Sequence, residues 1–269
     1  MTAGALTRGL GRGGSALLLT MLVVFLVAPI IVVVLMSFTN QIYLTFPPTE
    51  FVMRWYIAAW NESRWFDAGW NSIQIGTATA ALSMVLGTLS ALAVTRGGQR
   101  WTGWVASLVI APMMLPHIII AIGLYPTMLD LKLADTYIAV ILGHTVVAMP
   151  LVFTTVSASL RGYDPALEFA AMTLGANGWR AFRYVTLPMI GSGLAIGGIF
   201  AFAVSFDELM LALFLASPRT ETLPRMLWEH LQQTITPVIA AVATLVLLFT
   251  LVLMGGVLLL RRSDPEVVS

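Results

Sequence analysis

Ionisable side chains set in apolar stretches are where this chain could do chemistry. His117 follows a proline in APMMLPHIIIAIGL, His144 lies in ILGHTVVAMPL, and Asp207 and Glu208 sit side by side in AFAVSFDELMLALFLA. Carrying such groups into hydrocarbon is costly, so each is a candidate for a transport pathway or a buried pair. A carboxylate facing a water-filled cavity attracts cations, more strongly where the local dielectric is low. Neighbouring residues on one helix point about 100° apart, so Asp207 and Glu208 do not both face a narrow pathway squarely. The deeper Asp207 is the expected pathway residue, with Glu208 packed against a neighbour or near the outer mouth. Either histidine could equally be a hydrogen-bonded packing residue, and Asp207 a structural carboxylate. Straight helices rising ~1.5 Å per residue would put His117 roughly 16 Å, His144 roughly 10 Å and the acidic pair roughly 10–12 Å from the outer ends of their spans.

A second polar feature is LEFAAMTLGANGWRAFRYVTLPM, from Leu167 to Met189, which interrupts two long apolar runs. Asp164 followed by Pro165 reads as an N-cap with proline at the first helical position. Glu168 falls in the first turn, where a negative charge suits the helix end. Leu167, Ala170, Ala171 and Leu174 recur at helical spacing and form one apolar face. Gly175 suits a left-handed C-terminal cap. Asn177 can cap a second short helix on which Trp179, Phe182 and Thr186 share a face, and Pro188 closes it. The stretch is therefore a helix, a glycine turn and a second short helix. It could be a simple elbow between spans or a docking element for a partner.

Other chemistries lack their residues. The chain has no cysteine, so there is no disulfide framework and no thiolate nucleophile or ligand. It contains no GxxxxGK[ST] phosphate loop, HExxH or GxSxG, so no catalytic residue is assigned. His117, His144 and His230 are too scattered for a metal site, and none is assigned. Net charge is +1, which gives no sign of a nucleic-acid partner. No repeat relates the two halves, which argues against an inverted-repeat secondary transporter.

The elements that must position these residues are membrane helices. Of the 269 residues, 58% are hydrophobic and only 10% charged, against about 25% charged in soluble domains. Mean hydropathy is +0.90. Six runs are long enough to span, at about 15–38, 71–95, 103–128, 137–160, 189–215 and 237–260. Backbone groups in hydrocarbon must be paired within the segment, so the chain is an all-α polytopic membrane protein. The first run is too long for the core of a signal peptide and reads as a retained anchor. Pro116 and Pro150 are candidate kinks within spans. Nine of the fourteen Lys and Arg residues fall in the two tails and in the loops after spans two and four. The positive-inside rule makes that side, both termini and the 161–188 loop cytoplasmic. The opposite side carries FVMRWYIAAWNESRWFDAGW with Trp55, Trp60, Trp65 and Trp70. It reads as an amphipathic interfacial helix, or as aromatic contacts to a solute or partner. A short helix is expected after Pro224.

At the interruption the sequence resembles the inner-membrane permease subunits of binding-protein-dependent ABC importers. Their EAA motif runs Glu-Ala-Ala, three residues, Gly, nine residues, an aliphatic residue, any residue, Leu-Pro. Ala170, Ala171, Gly175, Val185, Leu187 and Pro188 match at that spacing. Phe169 stands where the motif has Glu, and Glu168 comes one residue early. The stretches SFDELMLALFL and TETLPRMLWEHLQQTITPVIAAVATL are similar to the spermidine/putrescine permeases of the second-permease kind, in which Asp207 matches an acidic residue of span five. His117 departs from the acidic residue often found there.

The resemblance implies a type I ABC importer permease fold with six transmembrane helices in a bacterial inner (cytoplasmic) membrane. It divides the chain into a tail over 1–14, a first helix and Trp-rich periplasmic loop over 15–70, a five-helix core over 71–260 with the EAA loop at 161–188, and a tail over 261–269. It implies a second permease subunit, a heterodimer in this subgroup, and two cytoplasmic ATPases docked on the EAA loops. A periplasmic or lipoprotein solute-binding protein delivers the solute, and membrane lipid surrounds the spans. Glu168, Phe169, Ala170, Ala171, Gly175, Leu187 and Pro188 are the expected coupling residues. Asp207, Glu208, His117 and His144 are the candidate pathway residues. ATP and Mg would be used by the partner ATPase, with no cofactor in this chain. The expected solute is small and cationic or amine-bearing, such as a polyamine. The alternatives are another solute of the subgroup (an amino-acid-like amine, an opine or an aminophosphonate), an ion-gradient-driven transporter using Asp207, and an accessory subunit without a pathway.

Overall fold

The computed structural model describes residues 3–262, so residues 1–2 and 263–269 of the expected tails lie outside the described residues. Among the described residues the chain is helical, with no strand beyond one isolated bridge between Thr39 and Phe51. The helices are α1 (Ala3–Met36), α2 (Arg54–Asn61), α3 (Ser63–Arg96), α4 (Gln99–Ile110), α5 (His117–Asp130), α6 (Tyr137–Gly162), α7 (Ala166–Thr173), α8 (Gly178–Ala181), α9 (Leu187–Met189), α10 (Gly191–Phe206), α11 (Met210–Leu215), α12 (Leu223–Gln233) and α13 (Pro237–Arg262). A 3-10 turn over Ala111–Met114 follows α4, and a π-helical turn over Phe182–Thr186 joins α8 to α9.

Among the described residues four helices are long and apolar enough to cross a membrane, over Ala16–Met36, Ser63–Arg96, Tyr137–Gly162 and Pro237–Val257, and the total is up to six if each of two bent pairs is one span. Two expected spans are therefore not straight helices. The third bends by 108° between Trp101–Met114 and His117–Asp130. Pro112 and Pro116 each remove a backbone donor, and a residue before proline is pushed out of the helical region. Leu115 accordingly sits at φ −99°, ψ 138°. Pro150, by contrast, lies inside the continuous α6.

The fifth span, expected from 189 to 215, ends as α10 at Phe206 and restarts as α11 at Met210. It meets the preceding Gly178–Met189 segment at 70°. Two boundaries also move. The second long helix begins at Ser63 rather than 71, and α1 already runs from Ala3, where a tail was expected.

The chain divides into two compact units, 1–62 with 229–248 and 63–228 with 249–269. In the first, the segment after α1 folds back onto α2. Trp55 is buried and its Nε1 donates to the Thr39 carbonyl at 2.7 Å. Ser37 Oγ and Tyr56 OH are 2.6 Å apart, and the Phe38 and Tyr56 rings lie 5.2 Å apart. Trp55 is thus a packing residue, whereas Trp60 is exposed.

The second unit is built on α3, α6 and α10, which pack against one another. Small residues let these backbones approach, as membrane helices require when burial from water is not available as a driving force. A Cβ on Gly87 would stand 2.8 Å from the Val152 Cβ and 3.0 Å from the Phe153 nitrogen. Gly197 and Gly198 of α10 face Thr155 and Val152 of α6 and Met84 of α3. Asn71 lies within α3, not at its start, and clamps the 216–222 loop: its Nδ2 donates to the carbonyls of Arg219 and Glu221, and its Oδ1 accepts from Tyr137 OH at 2.8 Å. Buried apolar residues form two clusters. One joins α5 and α11 to Ala139–Val147 of α6, and the other joins α4 and α10 to Ala148–Leu160. The breaks in the third and fifth spans fall at the level where one cluster gives way to the other.

Candidate functional site

The two helix breaks meet. His117 opens α5 just after Pro116, and Glu208 precedes α11. His117 Nδ1 and Glu208 Oε2 are 2.6 Å apart, although 91 residues separate them in sequence. Glu208 is buried, and its other oxygen accepts from the Leu211 backbone nitrogen at 3.1 Å. That bond satisfies a donor that the first turn of a helix leaves unpaired. Glu208 therefore restarts the helix that Asp207 ends. At the far end of α11, Arg225 donates to the Ala212 and Ala216 carbonyls. The pieces that follow the two breaks, α5 and α11, pack on each other.

Asp207 is placed differently. It ends α10, its backbone nitrogen bonded to the Ala203 carbonyl, and it is exposed. Together with His117, Glu208, Ala203, Val204, Leu209, Met210 and Thr250 it lines a cavity of about 510 Å³. Its carboxylate takes no hydrogen bond from the described residues. The carbonyl end of a helix carries a partial negative charge, so the carboxylate and the α10 dipole add where they meet the cavity. Apolar side chains form most of the remaining wall.

His144 does not line this cavity. It is fully buried on α6, with Nδ1 2.8 Å from Ser205 Oγ and Nε2 unpartnered. The structure thus brings His117, Asp207 and Glu208 together and leaves His144 on the neighbouring helix. Among the described residues no group of His, Asp or Glu is arranged to hold a metal ion.

The 161–188 loop forms the expected two-helix elbow. Asp164 Oδ1 accepts from the Ala166 nitrogen and Asn177 Oδ1 from the Arg180 nitrogen, both at 2.9 Å. Gly175 sits at φ +92°, the left-handed region. Leu167, Phe169, Ala170, Met172, Leu174 and Trp179 are exposed, with Phe169 at 67% and Leu174 at 89%. Ala171 and Leu187 are half-buried, and Pro188 is exposed.

Glu168 points the other way and is buried. Its Oε1 accepts from Arg96 Nη2, Tyr163 OH and Thr186 Oγ1. Burial pushes its carboxyl up, but the hydrogen bonds from Thr186 and Tyr163 and the Arg96 charge outweigh burial and hold it below the usual glutamate range. Sequence reasoning missed Arg96, Tyr163 and Thr186. The available signal was a lone arginine ending an apolar span, with a hydroxyl residue on each side of the elbow.

The family of binding-protein-dependent transport system inner membrane components matches residues 83–267. The chain is 27% identical over 255 residues to the spermidine/putrescine transport system permease protein PotC of Escherichia coli (strain K12), covering 95% of each. It is 30% identical to the putrescine transport system permease protein PotI of the same organism, covering 83% of this chain and 82% of that one. Among solved structures, a bacterial ABC transporter involved in the import of the acidic polysaccharide alginate aligns with a TM-score of 0.74 at 16% identity, over 96% of this chain and 97% of that one. The MetNI methionine ABC transporter aligns with a TM-score of 0.60 at 20% identity, over 72% and 94%. These structural likenesses bear on the fold alone, which is that of ABC importer permeases.

Proposed function

Since the chain belongs to the family of binding-protein-dependent transport system inner membrane components, we propose that it forms half of the pathway of an ATP-driven importer for a small amine-bearing cation. The carrying observation is Asp207: a carboxylate with no hydrogen bond from the described residues, at the carbonyl end of α10, in a largely apolar cavity. An ammonium group answers the carboxylate, and a short run of methylenes suits Ala203, Val204 and Met210. The similarity to two polyamine permeases supports the same solute class.

Glu208 adds no second free charge, because His117 and the Leu211 nitrogen occupy its oxygens. In this reading a second permease subunit closes the pathway, a solute-binding protein delivers the solute to the outer face, and both termini and the elbow lie on the cytoplasmic side of a bacterial inner membrane. The exposed apolar face of the elbow docks an ATPase, which binds the ATP and Mg. Phe169 makes that contact apolar where the family motif carries Glu.

The test is uptake by cells carrying the complete importer. Labelled putrescine uptake should be competed by diamines and not by dicarboxylates of equal length. It should stop on ATP depletion and survive an uncoupler while ATP is held up. Uptake that survives ATP depletion and collapses with the uncoupler would favour an ion-gradient transporter instead.

A further inference from the structure

Glu168 and Phe169 are neighbours with opposite fates. Phe169 is exposed, whereas Glu168 is buried with three donors on a single oxygen. The three donors come from three places. Arg96 is the last residue of α3, Tyr163 follows α6, and Thr186 ends the π-helical turn that leads into α9 and α10. Arg96 Nη2 also lies 3.1 Å from Tyr163 OH and 3.0 Å from Thr186 Oγ1. π turns are rare and recur at functional positions; here the wider turn ends with Thr186 fully buried.

By chain connection alone the elbow is tied to the core at two places, before α7 and after the π turn. With only those ties it could tilt without moving α3. The Arg96–Glu168 ion pair adds a third tie, directly to α3. α3 in turn packs on α6 and α10 through glycine contacts too close to slip freely. All three donors converge on Oε1, so that side of the Glu168 carboxylate is held toward the core.

We propose that Glu168 and Arg96 form an internal strut that makes the elbow, α3 and the start of the fifth span move as one body, so that force applied to the elbow reaches the pathway. Both are positioning residues, acting through the helices they join. The proposal rests on the reading of the elbow as the ATPase contact. It assigns to Glu168 a role inside this chain rather than at the partner surface.

The test uses the complete importer, with its ATPase and binding protein, in proteoliposomes. Three quantities are read: ATPase retained on purification, ATP hydrolysis, and solute moved per ATP. In Glu168→Gln and Arg96→Gln the ATPase should stay bound, and solute per ATP should fall on the order of tenfold, the effect of losing a charge-assisted hydrogen bond. Because this sequence has no cysteine, the pair Arg96→Cys/Glu168→Cys supplies its only two thiols, which a short bis-thiosulfonate linker can join, with the unsubstituted importer treated in the same way. Coupling should be low in the reduced double variant, return on linking and fall again with reductant.

Unchanged coupling in the single variants, loss of ATPase from them, or no recovery on linking would each overturn the strut. Failure of the underlying reading looks different: the unsubstituted importer would then hydrolyse ATP without moving solute, or retain no ATPase at all.

Discussion

His117 Nδ1 lies 2.6 Å from Glu208 Oε2, and this contact pins together the breaks of two discontinuous membrane spans. It leaves Asp207, the neighbour of Glu208, as an acidic group that meets the cavity with no hydrogen bond to its carboxylate from the described residues. Two adjacent carboxylates thus have separate places, one joining the broken helices and the other lining the cavity.

The pair should matter more for stability than the nearby His144–Ser205 hydrogen bond. Side-chain hydrogen bonds between membrane helices average only about 0.6 kcal/mol. Removing His117 leaves the buried Glu208 Oε2 without its hydrogen-bond partner, which costs about 1–3 kcal/mol. His117→Ala should therefore lower the unfolding midpoint in detergent clearly, while Ser205→Ala should barely move it. Equal midpoints for the two variants would contradict the holding role of Glu208.

Glu168 makes stability depend on pH in a definite sense. Its folded carboxyl is held below the ordinary value near 4.5. A depressed acid contributes stability that is fully present above the unfolded value and is lost as pH falls through the folded one. The protein should lose thermal stability below about pH 5, and Glu168→Gln should show a flatter profile there. Parallel acid limbs for the two proteins would show that the Arg96 cluster is not the source.

Gly175 tests the turn of the elbow separately from its packing. A Cβ at this position would meet nothing within 4 Å, but the φ of +92° disfavours any side chain. The penalty is therefore one of backbone conformation, about 1–2 kcal/mol for an ordinary residue. Gly175→Asn should be tolerated better than Gly175→Val, since Asn enters the left-handed region more readily. Retention of the ATPase on purification should follow the same order. Equal retention by both would mean that the turn does not shape the docking face.

Gly87 tests the core. A side chain there would press on the Val152 Cβ and the Phe153 backbone, and backbone cannot step aside. Gly87→Leu should abolish accumulation of folded protein, while Gly123→Leu, where a Cβ meets nothing within 4 Å, should be mild by comparison. Similar yields of folded protein from both would show that the close approach of α3 and α6 is not required.

Much of the elbow was legible because its signals are local. The glycine C-cap and the Asn N-cap appear in the structure, and Asp164 bonds the Ala166 nitrogen as a cap would, although the helix starts at Ala166, one residue later than expected; each signal acts over two to four residues. The long apolar runs likewise gave α3, α6 and α13, since span length follows from composition. The breaks were legible only in part. Pro116 was visible, but Pro150 looked the same in sequence and does not interrupt α6. The difference lies in Pro112, a second missing donor within four residues.

Depths estimated along straight helices also lost their meaning once the third span bent by 108°. Contacts between distant positions, His117 with Glu208 and Arg96 with Glu168, leave no trace in periodicity. The inward turn of Glu168 and the outward turn of Phe169 depend on donors gathered from the end of α3, the residue after α6 and the π-helical turn.

The most direct test of the account is uptake by the assembled importer carrying Asp207→Asn. This change keeps the size and shape of the side chain and removes only the charge that faces the cavity. ATP-driven putrescine uptake should fall about ten- to a hundredfold, the effect of a charge-assisted contact worth roughly 1.5–3 kcal/mol. The ATPase should stay bound and the unfolding midpoint should be unchanged. Full putrescine uptake by Asp207→Asn would contradict the claim that this carboxylate receives the solute.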